Sequence, residues 1–170
     1  MRIKKVKYDK KEKRVLISYE EKGADGYDNY TLDSEDTPNP SLLKSPSDLA
    51  SDVLYLCEIQ GKHDFQVEVR SISFSYGGEN EIMGATISAG IALERSYCPL
   101  NVNTPHKASE SYSEHEDPKQ LLDECTIIKL KLVQEEAIKF INGDRAQLKM
   151  DMPDNDPSVT TNQVIDVNQM

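Results

Sequence analysis

The densest group of side chains that could bind a metal surrounds His115. Its neighbours in sequence are Glu114, Glu116 and Asp117, and carboxylate oxygens with an imidazole nitrogen are suitable ligands for a divalent cation. The alternative is an acidic, solvated loop that leads into a helix capped by Asp117. We favour this second interpretation, so the sequence predicts no metal site.

Asp64, Glu68 and Arg70 are the residue types of a magnesium-dependent nuclease site, in which carboxylates share a metal and a cation holds the phosphate. Asp64 and Glu68 are four positions apart on one predicted strand. At roughly 3.3 Å per residue they are about 13 Å apart, too far for one metal. The sequence also contains no P-loop, GxGxxG, GxSxG or HExxH motif. These observations favour a protein that is not an enzyme and uses no cofactor.

A predicted hairpin carries small residues on one face of both its strands. Side chains of a strand alternate between the two faces, so we expect these residues to lie opposite one another. One explanation is the solvated side of an antiparallel sheet, although such a side usually carries longer polar residues. We therefore predict a contact surface for a partner or for the chain's own tail. Its residues are Ser71, Ser73, Ser75, Gly84, Thr86 and Ser88.

A second candidate surface is the polar segment that follows this hairpin. It lies within a predicted irregular connection over residues 98–116, and polar loops between regular elements often bind ligands. The alternative is a structural crossover whose asparagine side chains bond to backbone groups. The residues in question are Asn101, Asn103, Thr104, His106 and Lys107.

The net charge of −10 is unevenly distributed along the chain. Residues 1–14 carry eight cations and two anions, residues 15–150 carry a net −12, and residues 151–170 carry four aspartates and no cation. The acidic body argues against general binding to nucleic acid or anionic membrane. The basic N-terminal hairpin is either a contact for nucleic acid or an edge whose lysines prevent sheet association. Its candidate contact residues are Lys4, Lys5, Lys10 and Lys11.

The first half of the chain predicts three strands and one helix. Alternating apolar residues over 2–8, 14–19 and 27–32 predict an antiparallel three-stranded meander. Ser45 and Pro46 predict the start of a helix, with a short helical turn before it and a buried stripe from Leu49 to Cys57.

The second half predicts two strands and a long helix. The apolar positions change from odd to even numbers within one strand, from Phe65, Val67 and Val69 to Ile72. This change predicts a bulge near residues 70–71. A return strand over residues 83–93 and a helix over 118–141 follow. The predicted fold is α+β in the order βββ-α-ββ-α, with an antiparallel sheet and two helices packed mainly on one face.

The predicted organisation is one domain over residues 1–150 and an acidic, polar tail over 151–170. No run approaches the roughly 18 apolar residues of a membrane span. Cys57, Cys98 and Cys125 show no metal-binding or paired spacing. We expect Cys57 and Cys125 to be buried in helices, and the protein to be cytoplasmic.

Two stretches resemble small proteins encoded by phages and prophages of Gram-positive bacteria. They are Ser73-Phe74-Ser75-Tyr76-Gly77-Gly78-Glu79-Asn80-Glu81-Ile82-Met83-Gly84-Ala85-Thr86 and Asn101-Val102-Asn103-Thr104-Pro105-His106-Lys107. The resemblance runs from residue 1 to about residue 146. It implies a phage origin and host-cell cytoplasm, but no activity, cofactor or binding residue.

Two functions follow as hypotheses. The first is a phage-encoded, non-enzymatic inhibitor that sequesters a host defence factor through an acidic surface, because such a surface can occupy a site built for phosphates. The second is an accessory factor in phage DNA replication or recombination that contacts DNA through the basic hairpin. A host or phage protein complex is the expected partner, and residues 118–141 are the candidate surface of a homodimer.

Overall fold

The fold is an antiparallel sheet with helices packed on one face. It was obtained as a computed structural model, which describes residues 1–114 and 117–146. The fold confirms the predicted α+β class. The predicted tail, together with His115 and Glu116 of the candidate metal cluster, lies outside the described residues. The strands are β1 (Arg2–Asp9), β2 (Arg14–Lys22), β3 (Tyr27–Ser34), β4 (Val67–Gly77), β5 (Ile82–Leu93), β6 (Ser96–Asn103) and β7 (Lys107–Ala108). The helices are α1 (Pro40–Ser47), α2 (Ala50–Leu56) and α3 (Glu124–Ile141).

The strand order is β3-β2-β1-β4-β5-β6, and β7 also pairs with β5. The predicted meander β1-β2-β3 is therefore present. It joins the later hairpin through a short antiparallel contact of residues 5–7 in β1 with residues 71–73 in β4. This contact brings the basic N-terminal strand beside the serine-bearing strand.

The core lies between the helices and the inner face of the sheet. Apolar residues of β1, β2, β4 and β5 pack there against the buried sides of α1, α2 and α3. Within the described part of the chain no helix is long and apolar enough to cross a membrane. The fully buried large side chains include Ile3, Ile17, Leu49, Ile72, Ile87, Leu130 and Phe140.

The predicted bulge in β4 is confirmed. The register of β4 against β5 shifts between Val69 and Ser71, so the buried residues change from odd to even positions, with Ile72 and Phe74 facing the core. Phe65 differs from the prediction. It lies in a short 3₁₀ turn, Asp64–Gln66, and 82% of its side chain is exposed.

The predicted helix start at Ser45 is wrong. Ser45 and Pro46 lie inside α1, and Pro40 occupies the first helical position instead. Ser45 is buried, and its hydroxyl lies 3.5 Å from the carbonyl of Leu42, which Pro46 leaves without an N–H donor. The chain then turns and α2 begins at Ala50, with the predicted stripe from Leu49 to Cys57 facing inward.

The last helix is shorter than predicted. Asp117 caps only a 3₁₀ turn, Pro118–Gln120, and α3 has its own cap at Asp123. Leu121 bridges to Ala108 and the Leu122 N–H donates to the Ala108 carbonyl at 2.9 Å. A continuous helix could not make these sheet-like contacts, so the helix begins after them.

The outward side of α3 also corrects one burial prediction. Cys125 is exposed, contrary to expectation, whereas Cys57 is partly buried. Ile128 and Leu132 are exposed on the same helix. A homodimer through this helix therefore stays a prediction, now over Glu124–Ile141 rather than residues 118–141.

The connection predicted to be irregular contains two strands. Residues 96–103 form β6 at the edge of the sheet, paired with β5, and residues 107–108 form β7. Asn101 and Asn103 consequently lie in a strand and not in a loop, since pairing with β5 overrides their low strand propensity.

Candidate contact surface on the open face of the sheet

The small residues of β4 and β5 lie opposite one another, as expected from the alternation of their side chains. Their three cross-strand pairs stack along the side of the sheet away from the core. Ser73 is exposed and its neighbours Ser71, Thr86 and Ser88 are partly buried. The pairs are Ser71 with Ser88, Ser73 with Thr86, and Ser75 with Gly84.

Two lysines of the basic N-terminal hairpin extend this face. Lys5 is paired with Ser73, and Lys7 with Ser71. Both lysines are exposed. Their other neighbours across β1 and β2 are Ser18 and Leu16. The hydroxyl surface and the basic strand, which the sequence presented as separate candidates, therefore form one continuous surface, called the outer face below.

The second predicted surface also converges on the outer face. His106 Nε2 lies 2.7 Å from Ser75 Oγ, and the imidazole covers Gly84 so closely that a Cβ there would collide with it. The Ser88 hydroxyl donates to the side-chain oxygen of Asn103. His106 and Asn103 thus border the serines directly.

The other residues of that predicted loop support the backbone instead. The Thr104 hydroxyl accepts the Ile87 N–H at 2.9 Å, and the Thr104 N–H donates to the Ile87 carbonyl at the same distance. Thr104 is buried. Lys107 Nζ donates to the Lys119 carbonyl at 2.8 Å. The crossover interpretation therefore applies to Thr104 and Lys107.

Arg70 is a member of the outer face that the sequence analysis missed. It lies within the bulge of β4 and donates to the side-chain oxygen of Asn101 at 2.5 Å. Its guanidinium occupies the space that a side chain at Gly90 would fill. A bulge changes the direction of a side chain, so the bulge predicted near residues 70–71 was the available signal. Lys7 was missed as well, although it has the same strand parity as Lys5.

The predicted basic residues do not act as one group. Lys4 Nζ lies 3.3 Å from Glu20, and Lys10 Nζ lies 2.9 Å from Glu68. Burial would raise the pKa of Glu20, but hydrogen bonds from Arg2 and Lys4 hold the pKa below its ordinary value. Lys4 is thereby part of a local ion-pair cluster, whereas Lys5 lies on the outer face.

The Ser75–His106 pair is the nearest approach to a catalytic arrangement. A hydroxyl bonded to an imidazole is the first half of a nucleophile–base pair. Acyl transfer also needs a group that orients the imidazole and donors for the oxyanion. Among the described residues the hydrogen-bond partner of this imidazole is Ser75, which supplies neither.

No group of three or more metal-binding side chains occurs in residues 1–114 and 117–146. The two carboxylates considered above for a nuclease site have other partners. Asp64 accepts the Phe65 N–H at 2.9 Å, and Glu68 pairs with Lys10. These carboxylates therefore serve a turn and an ion pair.

The opposite edge of the sheet is acidic. Residues 20–36 contain seven carboxylates and one lysine. Arg14 neutralises part of this charge, lying 3.0 Å from Asp33 and 3.2 Å from Glu35. Asp25 and Asp28 are exposed. The acidic edge, defined as residues 20–36, begins within β2, and Asp33 of β3 lies across Leu16 from Lys7.

No protein-family model, curated protein or solved structure matches this chain.

Proposed function

We propose that this is a non-enzymatic accessory protein that holds nucleic acid on the outer face, in phage DNA replication or recombination. The observation that carries the proposal is the pairing of Lys5 with Ser73 and Lys7 with Ser71. It concentrates cations and hydroxyl donors on one open side of the sheet.

The chemistry of this face fits a phosphate backbone. Lysines neutralise phosphates, and serine, threonine and asparagine side chains commonly bond to phosphate and sugar oxygens. Lys5 and Lys7 are two residues apart on one strand, which is roughly 7 Å. One strand of B-DNA carries two charges over about the same axial length. Contacts of this kind bind nucleic acid with little sequence preference.

The net charge of −10 does not oppose this binding at short range. Charges farther apart than about 10 Å are largely screened at 0.1 M salt. At about 4.8 Å per strand, Asp33 of β3 lies about 10 Å from Lys7, and Arg14 already pairs with that aspartate at 3.0 Å. The acidic body should still slow association at low salt, where screening is weak.

Fluorescence anisotropy with labelled single- and double-stranded DNA tests the proposal. We expect Lys5→Glu/Lys7→Glu to weaken binding at low salt by at least tenfold. It should also reduce the slope of log K against log salt by about 1.4 for single strands, at about 0.7 per phosphate contact. Lys22→Glu/Lys131→Glu is the matched control, since both residues are exposed elsewhere. Equal losses in the two variants, or no binding by the wild type, would contradict the proposal.

A second candidate function rests on the acidic edge. An inhibitor that sequesters a host defence factor would present carboxylates where that factor expects phosphates. The exposed Asp25 and Asp28 at the end of the β2–β3 hairpin suit this role. Affinity purification from infected cells should then yield a host partner that Asp25→Asn/Asp28→Asn loses. Glu94→Asn/Glu124→Asn, at exposed positions elsewhere, is the control that should retain it.

A further inference from the structure

A cleft of about 730 Å³ opens beside the outer face, between the tip of the β1–β2 hairpin, the start of β4 and helix α1. Small-molecule sites typically enclose about 300–1,000 Å³. The cleft is therefore large enough for a ligand the size of a nucleotide.

The cleft exists because β1 and β4 pair only briefly. Their register covers residues 5–7 and 71–73, and the bulge at Val69–Ser71 then turns β4 away from the hairpin. Helix α1 closes the gap from the core side, where Leu42 and Leu43 line it. The opening is thus a fixed consequence of sheet geometry.

The floor of the cleft is apolar, which suits the uncharged body of a ligand. Valines from three strands contribute to it together with the side chains from α1. Val6 and Val15 are buried in the core beneath it. The apolar lining comprises Val6, Val15, Leu42, Leu43, Val67 and Val69.

The rim is basic, although the chain as a whole is acidic. Four cations and two carboxylates line it, and the two carboxylates are already engaged. Asp9 accepts the backbone N–H groups of Lys11 and Glu12 at 3.0 and 3.1 Å, and Glu68 pairs with Lys10. The excess of two cations favours an anionic group at the rim. The cations are Lys7, Lys10, Lys11 and Arg70.

An exposed aromatic ring stands at the mouth. Phe65 lines the cleft and is 82% exposed. Its 3₁₀ turn is closed by the His63 N–H donating to Gln66 Oε1 at 3.0 Å. The rings of His63 and Phe65 stack at 5.2 Å with 9° between their planes. A ring held outward in this way can stack with a flat ligand group.

We propose that the cleft binds a small phosphorylated ligand with a flat aromatic body, of the mononucleotide class. The phosphate lies among Lys7, Lys10, Lys11 and Arg70, and the aromatic group stacks on Phe65. The site shares Lys7 and Arg70 with the outer face, whereas Phe65, Lys10 and Lys11 belong to the cleft.

Isothermal titration of the full-length chain with AMP, adenosine and inorganic phosphate tests the site. We expect AMP to bind more tightly than either fragment, because it alone engages the ring and the rim together. Phe65→Ala should weaken AMP and adenosine about tenfold while leaving phosphate unchanged. Lys11→Glu should weaken AMP and phosphate while leaving adenosine unchanged.

Matched controls use groups outside the cleft. Tyr97→Ala removes another exposed aromatic ring, and Lys22→Glu reverses another exposed charge; neither should change AMP binding by more than twofold. No AMP binding at millimolar concentration, or equal effects of Phe65→Ala and Tyr97→Ala, would overturn the proposal. Lys5 does not line the cleft, so a Lys5→Glu variant that loses DNA but retains AMP separates this site from the outer face.

Discussion

Replacing Thr126 with valine should destabilise the protein by about 2–3 kcal/mol. Thr126 is fully buried, and its hydroxyl lies 2.6 Å from Asp52 Oδ1 and 2.6 Å from Asp123 Oδ2. Asp52 belongs to α2, whereas Asp123 caps α3. The hydroxyl has one proton and donates to one carboxylate at a time, and its contact with Asp52 joins α3 to α2 on the core side of the sheet.

The magnitude follows from what valine retains and removes. Valine keeps nearly the same volume, so packing is preserved and only the hydroxyl is lost. A hydrogen bond to a charged group contributes about 1.5–3 kcal/mol. Removing all partners of a buried charge costs about 3–5 kcal/mol. In the valine variant Asp52 still pairs with Lys129 Nζ, which lies 2.6 Å away. The expected loss of unfolding free energy is therefore that of one hydrogen bond to a charged group.

Urea unfolding of the wild type, Thr126→Val and Thr126→Ser measures this effect. Serine keeps the hydroxyl and loses one methyl group, which costs about 1 kcal/mol. The valine variant should therefore be less stable than the serine variant. If valine proves as stable as the wild type, or serine is the more damaging change, the hydroxyl does not join the helices as described.

The effect of Thr126→Val on the free energy of unfolding should depend on pH. Partial burial raises the pKa of Asp123, but the Thr126 hydroxyl and backbone N–H groups outweigh it and hold the pKa below the ordinary value. A depressed pKa contributes stability above the unfolded value of about 3.9, and that stability is lost as pH falls through the folded pKa. The stability gap between wild type and Thr126→Val should therefore narrow below about pH 4. A gap that stays constant into acid would show that Asp123 is not involved.

Three further changes have defined outcomes. Gly84→Ala should displace the His106 ring, since the added Cβ would collide with it, and unchanged imidazole NMR shifts would contradict this. Burial raises the pKa of Tyr76 to about 12, so the free energy of unfolding should fall as pH rises above about 10, the pKa of tyrosine in the unfolded chain. Tyr76→Phe should remove that part of the decline. A Tyr76 that ionises at its ordinary pKa, followed by absorbance at 295 nm, would contradict this. Hydrogen bonds from Lys139 and Ser41 hold the pKa of Glu136 below its ordinary value. Glu136→Gln should therefore make the free energy of unfolding fall less as the pH is lowered. An unchanged midpoint of acid unfolding would contradict this role of Glu136.

Strand patterns close in sequence were predictable in detail. The parity change between Val69 and Ile72 predicts the bulge, and the observed register shift lies between Val69 and Ser71. The same alternation predicts that Ser73 and Thr86 share one face of the hairpin, and the structure pairs them. These features could be predicted because the two strands of a hairpin are close in sequence. The alternation of side chains along each strand depends only on backbone geometry.

Elements that depend on distant pairing were not predictable in the same way. Strand β6 forms because β5 offers free hydrogen-bonding groups to residues 96–103, and not because asparagines favour strands. Helix α3 begins late because Leu121 and Leu122 are bonded to Ala108. In both cases a tertiary contact outweighs the local capping and propensity signals.

The amino-acid sequence by itself determined the fold class, the serine-bearing hairpin and the uneven distribution of charge. Only the tertiary structure decided that Lys5 and Lys7 lie beside Ser73 and Ser71, and that His106 borders Ser75. Their partners are tens of residues away, so composition and periodicity carry no information about them. The pairing of β1 with β4 is chosen by the burial of a shared core, and that burial places the basic strand on the serine face.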